Sequence, residues 1–241
     1  MTTALLIMLG AGLITGFSKF SVGGMGLLIL PVIMIAFPGP QALGIILPMY
    51  IITDVLAVIS YRKNIHWGLI ARLLPVCLAG VVLGGWLLAN IDPGQFSWLL
   101  GLMIVSMLVL GVVLDNTKSN LMRHPASGYL SGLLGGFVSL TSNAAGPIFS
   151  LYFMEQKLSK ETYISTRAWA FLLLNLAKVP MLFSLGLLSV ESTIISLQSI
   201  PGLVVGAGIG YWLLGKLKLV QFKWLIRIMA SLAAIKLLVV G

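Results

Sequence analysis

The chain contains few charged residues, a single cysteine and only two histidines. Charged residues make up 9% of its 241 positions, whereas a typical soluble domain carries about 25%. Because Cys77 is the only cysteine, an internal disulfide is excluded and a cysteine metal cluster is disfavoured. His66 and His124 have no carboxylate or second histidine at metal-ligand spacing. We therefore expect no bound metal.

Catalytic motifs are also lacking. The sequence has no paired carboxylates or serine–histidine arrangement, and no phosphate-binding loop of the form GxxxxGK[ST]. A chain without such a loop cannot draw energy from ATP by itself, although a separate ATPase subunit stays possible. The sequence thus predicts a protein that is not an enzyme and that needs no cofactor.

Hydrophobic residues, by contrast, are abundant. They make up 59% of the chain, and the mean hydropathy is +1.08. Apolar stretches of roughly 20 residues alternate with short polar connectors, as in proteins that cross a bilayer several times. These stretches cover residues 3–37, 42–61, 67–90, 95–114, 125–154, 162–186, 191–215 and 220–240.

The net charge of +9 could indicate nucleic-acid binding in a soluble protein. Here most lysines and arginines lie in the connectors, where they determine how the chain is oriented in the membrane. The expected partner is therefore the lipid bilayer and not nucleic acid.

Two of the apolar stretches are too long for a single crossing. Residues 3–37 and 125–154 are each interrupted by glycine and small polar residues, at 18–26 and 139–147. A hydrophobic stretch with such a break in the middle is typical of discontinuous membrane helices.

The two halves of the chain resemble each other. Gly12 to Phe17 aligns with Gly132 to Phe137, and a second block aligns at an offset of 126. In that block Pro75, Gly80, Gly84, Trp86, Gln95, Phe96 and Trp98 match Pro201, Gly206, Gly210, Trp212, Gln221, Phe222 and Trp224. We interpret residues 1–116 and 124–241 as two repeats within a single integrated membrane domain.

The basic residues predict how these repeats are oriented. Twelve of the 15 lie in or beside the connectors near 62–66, 115–124, 157–161 and 216–219, which the positive-inside rule assigns to the cytoplasm. The connectors near 38–41, 91–94 and 187–190 carry none and are expected outside.

Segment 125–154 must then enter and leave on the same side, as a hairpin that either crosses fully or is re-entrant. The predicted fold is all-α, with two inverted-topology repeats, each built from one broken segment and three transmembrane helices.

The breaks are the expected substrate site. Helix ends at a break expose N–H groups that favour an anion, and short polar side chains add donors. The alternative is that glycine and serine only allow close helix packing. The predicted substrate-binding residues are Ser21, Gly23, Gly24, Thr141, Ser142, Asn143, Gly146, Asn175 and Lys178.

Four ionisable residues within or near the spans need an explanation, because charges in a bilayer are costly. Asp54 and Lys178 lie well inside their spans, and we expect them near the centre together with Asn175, which matches Asp54 in the repeat. They form either an ion pair that holds two helices together or a functional pair in which Asp54 couples transport to protons. Lys19 is interpreted more simply as a lysine that reaches the membrane surface, and Arg167 as a positive-inside residue.

The sequence also resembles the sulfite exporter TauE/SafE family of bacterial membrane permeases. The resemblance rests on the small-residue break in each half, Gly16 to Gly26 with Pro31 and Gly136 to Pro147, and on the later span with Asn175. The second break reads Asn143-Ala144-Ala145-Gly146, a departure from the family's glycine-rich run. The resemblance implies ion-coupled export of sulfite, a sulfonate or a related organosulfur anion across the bacterial cytoplasmic membrane.

The resulting hypothesis is a secondary transporter that works by alternating access on a small anionic substrate. Glycine faces such as Gly80/Gly84 and Gly206/Gly210 would allow close sliding contacts. An anion channel and a membrane subunit of a larger complex remain alternatives, and a homodimer stays open. Residue types alone do not select the substrate, the direction or the coupling ion.

Overall fold

Ten helices and no strand are present in the part of the chain that the computed structural model describes. This part comprises residues 2–21, 25–116 and 125–213 and the isolated positions 228, 231, 234, 235, 238 and 239. The helices are α1 (Thr2–Phe20), α2 (Gly26–Met34), α3 (Gln41–Ser60), α4 (Trp67–Asn90), α5 (Pro93–Asn116), α6 (Pro125–Ser142), α7 (Gly146–Glu155), α8 (Lys160–Ser184), α9 (Val190–Leu197) and α10 (Ile200–Leu213). Most of the expected last span, 220–240, lies outside the described residues.

Several helices have the length and apolarity of membrane spans. Within the described residues these are 3–20 of α1, all of α3 and all of α4, and the bent pair α9–α10 passes the same test jointly. Large apolar side chains are exposed on these helices and on α8, including Trp86, Val190 and, on α8, Phe183, at 67%, 79% and 71%. Water-exposed surfaces rarely carry so many, so these faces suit a lipid environment.

The two long segments are broken where small residues interrupt them. The first ends its helix at Phe20 and resumes at Gly26, and the second ends at Ser142 and resumes at Gly146. Asn143 has a φ of 54°, in the left-handed region that ends helices and that asparagine tolerates. Pro147 then follows at the start of α7, where its missing N–H costs nothing.

The segment predicted as a single span at 191–215 contains two helices, α9 and α10, that meet at 50°. Pro201, the second residue of α10, has no N–H for a helical bond to Leu197. The Ser199 hydroxyl donates to the Ser196 carbonyl at 2.6 Å and so satisfies part of the broken turn. The helix expected for this segment is therefore broken, and its two parts together still have the length and apolarity of one span.

Glycine allows two helix pairs to pack backbone against backbone. A Cβ at Gly206 would lie 2.1 Å from the Leu13 carbonyl oxygen, which joins α10 to α1. A Cβ at Gly136 would lie 2.1 Å from the Cys77 carbonyl oxygen, which joins α6 to α4. Only glycine permits such contacts. The pairs α1–α10 and α4–α6 have the most extensive contacts of the fold, and α3 packs on α8 beside them.

Candidate functional site

Asp54 on α3 and Asn175 on α8 meet where these two helices pack. Both are fully buried, and the Asn175 amide nitrogen donates to a carboxylate oxygen of Asp54 at 2.6 Å. The amide oxygen of Asn175 accepts from the Lys178 ammonium at 3.0 Å. This orientation of the amide satisfies both neighbours, because a flipped amide would turn its oxygen to the carboxylate. Asn175 thus stands between the two charges.

Lys178 is therefore not paired directly with Asp54, contrary to the ion pair considered from the sequence. In the part of the chain that the structure describes, its ammonium is held by neutral oxygens only. It lies 2.5 Å from Asn143 Oδ1, 3.1 Å from the Ser139 carbonyl and 3.4 Å from Ser139 Oγ, besides Asn175. These acceptors belong to the end of α6 and to the second break. A buried ammonium without a carboxylate has no opposite charge to offset its desolvation, so an anion is the partner that would stabilise its charged form most.

Lys19 is the residue that pairs with Asp54. Its ammonium forms a salt bridge with the second carboxylate oxygen of Asp54, and its side chain is only 13% exposed. The ammonium also lies 4.4 Å from the centre of the Phe171 ring and 5.1 Å from that of Tyr50. Such cation–π contacts stabilise a charge by roughly 0.5–2 kcal/mol. The prediction that Lys19 reaches the membrane surface was wrong.

The sequence contains a pattern that could have indicated that Lys19 is the partner of Asp54. Lys19 lies within the break predicted at 18–26. Tyr50 and Phe171 each lie one helical turn before Asp54 and Asn175, so each aromatic shares a helix face with its polar partner.

A continuous row of polar groups results, which we call the polar chain: Lys19, Asp54, Asn175, Lys178 and Asn143. It runs from α1 through α3 and α8 to the second break. Among the described residues, Asp54 is the only carboxylate in it, against two ammonium groups. The polar chain therefore carries an excess of positive charge in a buried setting.

Unpartnered hydrogen-bond donors lie beside this row. Asn143 Nδ2, Tyr50 Oη and Ser21 Oγ are buried and have no partner among the described residues. Gly26 lies close to two of these residues. A Cβ on Gly26 would lie 3.5 Å from the Asn143 carbonyl oxygen and 3.7 Å from Tyr50 Oη. Buried donors in proteins are rarely left unpaired, so a group of them points to a ligand.

The other residues expected at the site differ in whether they can contact a ligand. The Thr141 and Ser142 hydroxyls donate to carbonyls of their own helix, at 2.8 Å and 2.9 Å, and offer no free proton to a ligand. A Cβ at Gly146 would meet no atom within 4 Å, which leaves open space at the start of α7. Gly23 and Gly24 lie outside the described residues.

An apolar groove between α4 and α8, lined by residues such as Val81 and Met181, lies on another face of α8. It carries no charged side chain. A small anion would find no partner there, so the groove is not a second candidate for this chemistry.

Comparison with known proteins identifies the family of the chain. A family model described as Sulfite exporter TauE/SafE matches residues 8–237, nearly the whole chain. No curated protein and no solved structure matches the chain significantly. The family is one of membrane transporters, and the matched region includes the entire polar chain. The chain belongs to the sulfite exporter TauE/SafE family.

Proposed function

We propose that the protein is a secondary transporter that exports a small anion, sulfite or a related organosulfur or sulfonate anion, across the bacterial cytoplasmic membrane. The observation that carries this proposal is Lys178, a fully buried ammonium whose partners are all neutral oxygens. An anion that reaches it neutralises a charge that the protein leaves uncompensated.

The donors around Lys178 suit an oxyanion. Sulfite and sulfonates carry three oxygens on one sulfur, and each oxygen accepts hydrogen bonds. The Lys178 ammonium supplies the charge, while Asn143 Nδ2 and Tyr50 Oη supply neutral donors that have no protein partner. Hydrogen bonds to a charged acceptor are about twice as strong as neutral ones, so these donors favour an anion over a neutral solute.

Coupling to an ion gradient is assigned to Asp54. Its carboxylate is shared between Lys19 and Asn175, and Asn175 in turn holds Lys178. An anion that binds Lys178 weakens the hold of that ammonium on Asn175. A proton on Asp54 would release Lys19 and break the polar chain at its other end. Anion binding and proton binding then act on the same row of contacts.

Alternating access would follow from the way the helices are paired. The contacts of α1 with α10 and of α4 with α6 leave no room for a methyl group, so each pair moves as a unit. This differs from the sliding expected at the glycine faces. The polar chain connects the two units, because its member Lys19 belongs to α1 and its member Lys178 donates to the carbonyl of Ser139 on α6. Breaking it at one end or the other would open the site to one side.

Counterflow in proteoliposomes tests the proposal. Vesicles loaded with labelled sulfite should lose the label faster when unlabelled sulfite is added outside, because a carrier returns faster when it is occupied. Lys178→Gln, which keeps the size of the side chain and removes its charge, should abolish this exchange. Efflux that does not respond to external sulfite would instead indicate an anion channel. Absence of sulfite flux through the wild-type protein would contradict the proposal.

A further inference from the structure

Arg167 lies one helical turn before Phe171 on α8 and takes no part in the polar chain. Its side chain is partly buried, and its guanidinium carbon lies 5.9 Å from the centre of the Phe171 ring. The Lys19 ammonium lies 4.4 Å from the same ring. Two cations therefore approach one aromatic ring, although only Lys19 has a carboxylate partner. An arginine that only marks the cytoplasmic side needs no such burial.

Unpartnered donors accompany Arg167 as well. Tyr61 follows the end of α3, its hydroxyl is buried without a partner among the described residues, and its ring lies 6.0 Å from that of Phe20, the residue after Lys19. Trp169 Nε1 is a further buried donor without a partner. Tyr61 and Trp169 both pack against the small core cluster that contains Phe20 and Leu172. A second group of cation and free donors thus lies towards the connector at 61–66.

One face of α8 links the two groups. Arg167, Phe171, Asn175 and Lys178 follow one another at spacings of four, four and three residues, so they lie in a row along the helix. Phe171 is the apolar member of this row. Its ring lies between the two cationic residues of the row, Arg167 and Lys178, and separates the guanidinium of Arg167 from the polar chain.

We propose that Arg167 and Tyr61 form a second anion subsite on the side of the 61–66 connector, which binds the same oxyanion before it reaches Lys178. The guanidinium presents a planar fork that matches two oxygens of an oxyanion, and the phenol donates to the third. Phe171 is the barrier that the anion passes between the two subsites. This subsite deepens the proposed function and rests on it.

The test is the concentration dependence of sulfite transport in proteoliposomes. Arg167→Gln removes the charge and should raise KM for sulfite about tenfold with little change in the maximal rate, while Arg167→Lys should recover part of the affinity. Arg62→Gln is the matched control, because Arg62 is an exposed arginine of the same connector. It should leave KM unchanged.

If Arg167→Gln does not fold, the variant Tyr61→Phe tests the second anion subsite. It removes one hydroxyl, keeps the ring against Phe20 at 6.0 Å, and should raise KM about threefold. An Arg167→Gln or Tyr61→Phe protein with unchanged KM overturns the subsite, and so does a loss of maximal rate without a change in KM. In those cases wild-type transport and its loss in Lys178→Gln leave the proposed function intact. A wild-type protein that carries no sulfite overturns both.

Discussion

At the scale of single residues, the amide of Asn175 determines how the buried charges are distributed. A carboxylate and an ammonium on facing helices would neutralise each other in direct contact. Here the amide lies between them, so Asp54 pairs with Lys19 and Lys178 has no carboxylate in contact with it. The desolvation cost of Lys178 is offset only by neutral hydrogen bonds, which makes it the position where an anion gains most.

Replacing Asp54 tests the coupling role. Asp54→Asn alone leaves Lys19 as a buried, unpaired cation, which we expect to cost about 3–5 kcal/mol of stability. The double variant Lys19→Gln/Asp54→Asn removes both charges and should recover most of that loss. In proteoliposomes the double variant should still exchange sulfite downhill, whereas accumulation driven by a pH gradient should disappear. The measurements are thermal unfolding in detergent and both transport assays.

Two results would count against this role for Asp54. If the double variant accumulates sulfite in a pH gradient at the wild-type rate, coupling runs through another group. If it is as stable as wild type but has lost downhill exchange as well, the carboxylate belongs to substrate binding.

The contact between Asp54 and Asn175 could be anticipated from the sequence, because residues at matched repeat positions meet when they lie near the axis that relates the repeats. The partner of Lys19 could not. A lysine in a break has a long, flexible side chain that reaches either the surface or a buried acid, and hydropathy does not distinguish the two. Arg167 is similar, since a basic residue near a span end has the same sequence pattern whether it orients the chain or binds an anion.

At the scale of helices, a glycine lies either at a close helix contact or on an open face, and only the packing in the structure distinguishes the two. Gly206 and Gly208 both lie on α10, but a Cβ at Gly206 would collide with the Leu13 carbonyl, while one at Gly208 would meet nothing within 4 Å. Composition counts both as helix-packing residues. Only one of them holds α10 against α1.

A matched pair of substitutions measures this difference. Gly206→Ala forces α1 and α10 apart and should lower stability by about 1–3 kcal/mol, as overpacking does elsewhere. Gly208→Ala adds a methyl to an open face and should be neutral or stabilising by up to about 1 kcal/mol, because alanine favours a helix. Thermal unfolding followed by tryptophan fluorescence reports both. Equal stabilities would show that the contact tolerates a methyl group.

The positions of the breaks after α1 and α6 could be predicted, because glycine, asparagine and small polar residues interrupt otherwise apolar runs there. The bend between α9 and α10 could not be predicted from hydropathy. Its cause is the proline at 201 within a run that is apolar on both sides, and other prolines of this chain, such as Pro48 and Pro75, lie inside continuous helices. Tertiary packing decides which proline ends a helix.

At the scale of the whole molecule, the closest helix pairs join the two halves of the chain. Helix α1 of residues 1–116 packs on α10, and α6 of residues 124–241 packs on α4. These pairs correspond to each other if α1 matches α6 and α4 matches α10, as the sequence alignment indicates. The contact of α3 with α9 likewise corresponds to that of α8 with α4. This correspondence supports the repeat that we propose, whereas its inversion rests on the charges of the connectors.

Cysteine labelling tests that topology directly. Single cysteines at Gly39, Gln95 and Glu191 should react with an impermeant thiol reagent from outside intact cells, because their connectors carry no basic residues. Cysteines at Asn64, Ser119 and Ser159 should react only after the membrane is permeabilised. The native Cys77 is buried against α6, so the wild-type protein provides the unlabelled blank.

The decisive pair is Ser119 and Ser159, which flank the segment 125–154. If they label from the same side, that segment is a hairpin and the halves are inverted; if they label from opposite sides, the segment crosses once and the inverted repeat fails.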